Sequence, residues 1–153
     1  MPLLLAFTLQ TAVAPAPLVA QPPATILVEP AAMLLGACDG NADALVTRGE
    51  RDACVDRAFA TAEGASAGSI GLIAYADWSL RWLGDRNALP SPFEVDADGD
   101  NRVTAAELRR RFAALFDRYD ANKDGTLARA ELVTIRAVAP GQEDGRNRRE
   151  RRR

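Results

Sequence analysis

The chain has 153 residues and a formal net charge of −2, and 48% of its residues are apolar. This size and composition fit one compact domain or two small ones. Because the chain has no histidine, histidine-dependent catalytic triads and zinc–histidine sites are excluded. No nucleophile–base pair, phosphate loop or redox motif is visible in the sequence, so we expect a protein that is not an enzyme.

An apolar run opens the chain and is followed by small residues and prolines. The run is too short to span a membrane. It predicts a signal peptide over residues 1–20, cleaved after Ala20, although no basic residue follows Met1. An Ala/Pro-rich disordered tail is the alternative. Residues 21–30 contain three prolines and are predicted to be a linker.

Helical spacing of apolar residues predicts three helices in the first half of the chain. They are expected at residues 31–37, 47–62 and 74–83. Trp78 and Trp82 lie four residues apart and therefore share a face of the third helix. Packing in the core explains this pair, and a groove for a partner is the alternative.

The second half follows a predicted connector at residues 85–92. Three more helices are predicted: one turn opened by the capping box Ser91-Pro92-Phe93-Glu94, then residues 104–119 and 128–138. The last of these should bury Leu132 and Ile135. Pro140 and Gly141 end it, and residues 140–153 are predicted to form a basic disordered tail.

The segment between the last two helices, residues 120–131 (loop 4), is the most informative part of the sequence. It matches the pattern D-x-[DN]-x-[DN]-G-x5-E without a mismatch. A hard cation such as Ca²⁺ takes six to eight oxygen ligands, and this spacing supplies most of them. The predicted ligands are Asp120, Asn122, Asp124, the carbonyl of Thr126 and both carboxylate oxygens of Glu131. The chain therefore resembles the EF-hand calcium-binding superfamily.

A second copy of this pattern lies upstream at residues 96–107 (loop 3). Its predicted ligands are Asp96, Asp98, Asp100, the carbonyl of Arg102, a water held by Thr104, and Glu107. Position 6 is Asn101 where the family has glycine. Since asparagine tolerates positive φ better than other non-glycine residues, we expect this loop to close.

The same template fits residues 39–50 (loop 1). Its predicted ligands are Asp39, Asn41, Asp43, the carbonyl of Leu45, and Glu50. Position 6 is Ala44, and an alanine held at positive φ costs about 1–2 kcal/mol. This strain favours a weak or Mg²⁺-like site, and an empty structural loop is the alternative.

A fourth, degenerate loop is predicted at residues 66–77 (loop 2). Gly71, Ile73 and Asp77 fall at positions 6, 8 and 12, but positions 1, 3 and 5 lack carboxylates. We expect it to keep its shape without binding metal. The alternative is an unrelated Gly/Ser loop.

The resemblance implies how the loops are arranged, because EF-hand loops pair through a short β-bridge between their position-8 residues. Pairing in chain order would join Val46 to Ile73 and Val103 to Leu127. The expected fold is all-α, with two paired EF-hand lobes at residues 31–84 and 93–139.

The resemblance also places Cys38 and Cys54 opposite each other. In an EF-hand, the residue before position 1 packs against the exiting helix about one turn beyond position 12. In an oxidising compartment the two cysteines would form a disulfide. Two small core residues are the alternative.

The sequence thus predicts calcium binding, with two Ca²⁺ ions and a third as an option, and Mg²⁺ as an alternative ion in loop 1. The chain looks like exported bacterial multi-EF-hand proteins, periplasmic or secreted, which implies a buffer, a sensor or a calcium-stabilised module. The alternative function is an interaction protein. Its tail, residues 146–153, carries six arginines and one glutamate and would bind an anionic partner, with calcium only structural.

Overall fold

A computed structural model describes residues 25–136, so the predicted signal peptide and basic tail lie outside the described residues. The described residues form six α-helices and six short strands. The helices are α1 (Pro30–Gly36), α2 (Arg48–Ala60), α3 (Leu72–Leu83), α4 (Pro92–Val95), α5 (Ala105–Tyr119) and α6 (Arg129–Leu132). The strands are β1 (Thr25–Leu27), β2 (Leu45–Thr47), β3 (Ser69–Gly71), β4 (Arg102–Thr104), β5 (Thr126–Ala128) and β6 (Thr134–Arg136).

Local sequence signals set most of the helix ends. Thr47 and Thr104 cap α2 and α5, and each hydroxyl accepts a hydrogen bond from the backbone N–H three residues on. α4 begins at Pro92, directly after its N-cap Ser91, as predicted from the capping box. Gly84 ends α3 with a φ of 86°, a conformation that glycine adopts at low cost.

The loops pair differently from the prediction made from chain order. β2 pairs with β5, which sets Val46 opposite Leu127, and β3 pairs with β4, which sets Ile70 opposite Val103. Loop 1 is therefore bridged to loop 4, and loop 2 to loop 3. The predicted pairings of Val46 with Ile73 and of Val103 with Leu127 are wrong. All four bridge residues are buried, so each bridge also contributes to the core.

The register of loop 2 also differs from the prediction. Ile70 holds the bridge position and is 1% exposed, whereas Ile73 is 80% exposed on α3. Counting from the bridge at position 8, loop 2 runs over residues 63–74, not 66–77. Gly68 then falls at position 6, where its φ of 90° gives the same left-handed turn as in the other loops.

The end of the described chain is extended, not helical. α6 stops at Leu132, which is buried, and β6 follows and pairs with β1. Part of the predicted linker is thus a strand, and Ile135 is 65% exposed instead of buried. β-branched residues at 133–135 have low helix propensity and suit this ribbon.

α2 and α5 form the main helix packing of the described residues, and aromatic side chains fill the space beside them. Trp78 is buried, stacks edge-on against Phe112 at 6.3 Å between ring centroids, and donates from Nε1 to the carbonyl of Ala58 at 3.0 Å. Trp82 is partly buried and donates from Nε1 to the hydroxyl of Thr61 at 2.9 Å. The geometry of Trp78 is that of a core residue with its polar atom satisfied. No helix in residues 25–136 is long and apolar enough to cross a membrane.

Candidate metal centres

Loops 1, 3 and 4 share one turn scaffold built on the carboxylate at position 1. In each loop this carboxylate accepts a hydrogen bond from the backbone N–H at position 6, at 2.9–3.0 Å. The carboxylate at position 5 likewise accepts from the N–H at position 7, at 2.7–2.9 Å. The short acidic side chains thus hold the backbone of the loop in a tight turn around themselves.

The glutamate at position 12 closes each ring from the opposite side. One oxygen of Glu50, Glu107 and Glu131 accepts from the N–H at position 2, at 2.9–3.1 Å. The other oxygen accepts from the N–H at position 9, at 2.9 Å in each loop. Since positions 2 and 9 lie on either side of the loop opening, each glutamate spans that opening with both oxygens.

Hydrogen bonds keep several of these carboxylates ionised. The pKa of Glu50 is lowered by hydrogen bonds from the backbone and hydroxyl of Thr47. Partial burial raises the pKa of Glu107. Hydrogen bonds from the N–H groups of Ala97 and Thr104 oppose this effect, and the net shift of the pKa is downward. The pKa of Asp124 is lowered by the hydroxyl and backbone of Thr126. A lowered pKa extends the ionised range of the group to more acidic pH, and a carboxylate must be ionised to bind a divalent cation.

The spacing of the oxygens in loop 3 fits a calcium ion. Asp96, Asp98 and Glu107 each place one carboxylate oxygen within 4.8 Å of the others. Oxygens that bind Ca²⁺ at roughly 2.4 Å lie at most about 4.8 Å apart, across the ion. Asp100 and Thr104, the other side chains predicted here, lie in the same loop, and Arg102 lies at the start of β4.

The predicted ligands of loops 1 and 4 are held on the matching turns. Asp39 and Asn41 accept from the N–H of Asp43, and Asp120 and Asn122 accept from the N–H of Asp124, all at 2.9–3.2 Å. Leu45 and Thr126 begin the bridging strands, as Arg102 does. Asp120 is buried, unlike Asp39.

Each ligand-bearing loop needs left-handed backbone at two positions, 4 and 6. Loop 1 has Ala42 and Ala44 there, at φ of 60° and 69°. Loop 3 has Gly99 and Asn101, at 76° and 63°, and loop 4 has Lys123 and Gly125, at 62° and 85°. The left-handed backbone at position 6 is predicted from the sequence, whereas that at position 4 is not, although Gly99 is a signal for it. Loop 1 carries the most strain, because alanine occupies both positions.

Loop 2 keeps the turn without the ligands. In the register that the bridge defines, positions 1, 3, 5 and 12 are Glu63, Ala65, Ala67 and Ala74. A single carboxylate cannot replace the hydration shell of a divalent cation. Loop 2 is therefore a loop of EF-hand shape with no metal-binding set.

The entry to loop 4 is tied to the start of α1. Tyr119, the residue before Asp120, donates from its hydroxyl to Glu29 at 2.6 Å, and Arg118 forms an ion pair with the same carboxylate. The hydrogen bond from Tyr119 lowers the pKa of Glu29, and burial raises the pKa of Tyr119 to about 12. Both groups therefore keep their hydrogen-bonding states through the neutral range.

A disulfide joins Cys38 and Cys54, as predicted, with 5.4 Å between their Cα atoms. Cys38 directly precedes position 1 of loop 1, and Cys54 lies one helical turn after Glu50. Both cysteines are buried. The bond clamps the entry and exit of the loop that carries the most backbone strain.

Comparison with known families supports the prediction of two EF-hand loops in the second half of the chain. The EF hand family model matches residues 94–113 and 112–135, which contain loops 3 and 4. These matches support the EF-hand superfamily and, with it, calcium as the ligand. No curated protein matches the chain.

Proposed function

We propose that this protein binds calcium through loops 3 and 4, and that it is not an enzyme. The observation that carries the proposal is the hydrogen-bonded scaffold that loops 3 and 4 share, together with the carboxylate oxygens of Asp96, Asp98 and Glu107, which lie within 4.8 Å of one another in loop 3. The ligands would be Asp96, Asp98, Asp100 and Glu107 in loop 3, and Asp120, Asn122, Asp124 and Glu131 in loop 4. The backbone carbonyls of Arg102 and Thr126 would complete the two sets, with a water held by Thr104 in loop 3.

Loop 1 is proposed as a third, weaker site, through Asp39, Asn41, Asp43, the carbonyl of Leu45, and Glu50. Its hydrogen bonds repeat those of loops 3 and 4, and the bridge to loop 4 supports it. The two alanines at positive φ oppose tight binding, so Mg²⁺ or millimolar Ca²⁺ would suit it better.

We further propose that the protein works outside the cytoplasm, periplasmic or secreted in a bacterium. The disulfide supports an oxidising compartment, since such bonds persist mainly there. Its role would be that of a calcium buffer, a sensor or a module stabilised by calcium.

A calcium titration of the oxidised protein tests the proposal. Isothermal calorimetry counts the bound ions, while circular dichroism and a hydrophobic dye report structural change in parallel. We expect two ions, or three if loop 1 binds. New dye binding on calcium addition would identify a sensor, and unchanged dye binding a buffer or a stabilised module. No heat above that of buffer would refute the proposal.

The arginine-rich tail supports a second candidate function, the binding of an anionic partner. Its support is the sequence alone, six arginines within residues 146–153. Deleting these residues should abolish retention on an anionic matrix such as heparin and leave the calcium affinity unchanged. Equal retention of the full and shortened chains would exclude the tail as a binding element.

A further inference from the structure

Loop 2 has lost its metal ligands and has nevertheless kept a complete bridge to loop 3. β3 and β4 pair over three residues each, and both central residues, Ile70 and Val103, are buried. The bridge gives loop 3 a neighbour whose conformation does not depend on a bound ion. This raises the question of what the neighbour does for the site in loop 3.

A side-chain contact reinforces this bridge. Arg102, at position 7 of loop 3, donates from Nε to the hydroxyl of Ser69 at 2.6 Å and from Nη2 to the carbonyl of Ser69 at 2.9 Å. A guanidinium can make two such bonds to one residue because its N–H groups form a rigid fork. Both hydrogen bonds cross from loop 3 to loop 2.

Position 7 is the position whose backbone carbonyl is aimed at the ion. The backbone N–H of Arg102 also donates to Asp100 at 2.7 Å, which ties the residue to the ligand at position 5. Arg102 is thus held from two sides, by the loop and by Ser69. The other position-7 residues differ: Thr126 bonds to Asp124 of its own loop, and Leu45 has no polar side chain.

We infer that Arg102 and Ser69 are positioning residues for the site in loop 3, with loop 2 serving as its fixed support. The inference rests on the proposed calcium binding of loop 3. The contact would hold the carbonyl of Arg102 in place before the ion arrives, so that less conformational entropy is lost on binding. It would also steady the neighbouring Asn101, which is held at positive φ without being glycine.

The test compares Arg102→Lys, Ser69→Ala and the double variant with the unaltered protein. Lysine keeps the positive charge, so the electrostatic repulsion of the cation is the same in the variant and the unaltered protein. It cannot form both hydrogen bonds to Ser69. Arg109→Lys serves as the control, because Arg109 is also an exposed arginine, lies outside the twelve residues of loop 3 and pairs with Asp56 of α2 and not with loop 2. The oxidised full chain, labelled with ¹⁵N, is titrated with CaCl₂ and followed by NMR.

Two amides report the two loops separately. The N–H of Asn101 bonds to Asp96 in loop 3, and that of Gly125 bonds to Asp120 in loop 4. We expect Arg102→Lys to raise the calcium midpoint at Asn101 by about three- to ten-fold, the range for a net hydrogen bond. The midpoint at Gly125 should move less than about two-fold, as should both midpoints in Arg109→Lys.

Ser69→Ala should give a smaller shift at Asn101, because the carbonyl of Ser69 still accepts. The double variant should fall short of the product of the single effects, since both remove the same contact. An unchanged midpoint at Asn101 in Arg102→Lys, or an equal shift at Asn101 and Gly125, would overturn the inference. A lack of calcium response at both amides in the unaltered protein would instead refute the proposed function on which it rests.

Discussion

The two bridged pairs of loops have the same antiparallel bridge and different chemistry. Loops 1 and 4 are joined through Val46 and Leu127, and both carry a full set of oxygen side chains. Loops 2 and 3 are joined in the same way through Ile70 and Val103, but only loop 3 carries ligands. Loop 2 therefore keeps the left-handed turn at position 6 and the bridge without the carboxylates.

Two features are common to all four loops. Loop 2 shares with the others a buried apolar residue at position 8 and a left-handed residue at position 6, here Gly68. Ligand loss is tolerated because the bridge and the buried residue are part of the core, whereas the ligands are largely at the surface. The oxygen side chains of loops 1, 3 and 4 are thus carried by a scaffold that folds by apolar burial.

The largest expected effect is on metal binding in the pair formed by loops 1 and 4. Glu131→Ala removes both oxygens at position 12 of loop 4, and we expect calorimetry to lose the heat of that site entirely. Glu63→Ala is the matched control, because Glu63 lies in the loop without ligands and should change no calcium affinity. An unchanged ion count in Glu131→Ala would exclude loop 4 as a site.

Substitutions at two isoleucines test the bridge between loops 2 and 3. Ile70→Ala removes a buried bridge residue and should lower the free energy of unfolding by about 2–5 kcal/mol, measured by urea denaturation. Ile73→Ala, on the exposed face of α3, should change it by no more than about 0.5 kcal/mol. The reverse order would restore the register 66–77 for loop 2.

The clamp on loop 1 should have the next largest effect. Replacing both Cys38 and Cys54 with alanine should lower the free energy of unfolding by up to ~3 kcal/mol, the value for a closed loop of this size. Urea denaturation of the oxidised, reduced and variant proteins measures it. If the oxidised and reduced proteins unfold at the same urea concentration, the disulfide does not stabilise the protein.

Relief of backbone strain should give the smallest effect, and the gain should differ between loop 1 and loop 3. Ala44→Gly relieves a positive φ in loop 1 and should stabilise metal binding there by about 1 kcal/mol, or roughly five-fold in affinity. Asn101→Gly in loop 3 should give a smaller gain, because asparagine tolerates this conformation better. Calorimetric titration of both variants measures the difference, and a larger gain at Asn101 would contradict the ranking of strain.

Much of the fold could be predicted because its signals are local. The start of α4 follows from the capping box at Ser91, and the end of α3 follows from Gly84. The disulfide followed from the resemblance to the EF-hand family. α6 was predicted too long, because its apolar spacing continued and the competing partner of β6 lies more than a hundred residues upstream.

The register of loop 2 could not be read from the sequence with certainty. Gly68-Ser69-Ile70 and Gly71-Leu72-Ile73 both place glycine two residues before isoleucine, as positions 6 and 8 require. The two readings differ only in which isoleucine is buried. Burial is a property of the packed molecule, and the structure buries Ile70.

The sequence by itself determined which oxygen-bearing residues loops 1, 3 and 4 carry at the positions that a calcium ion requires, because that spacing lies within twelve residues. It also determined which loops carry strain at position 6. Only the tertiary structure decided which loops are partners. The position-8 residues are valine, isoleucine and leucine, which form bridges interchangeably, so chain order was the only guide. The packing of α2 against α5 brings loop 1 beside loop 4 and loop 2 beside loop 3, and burial of the four bridge residues fixes that arrangement.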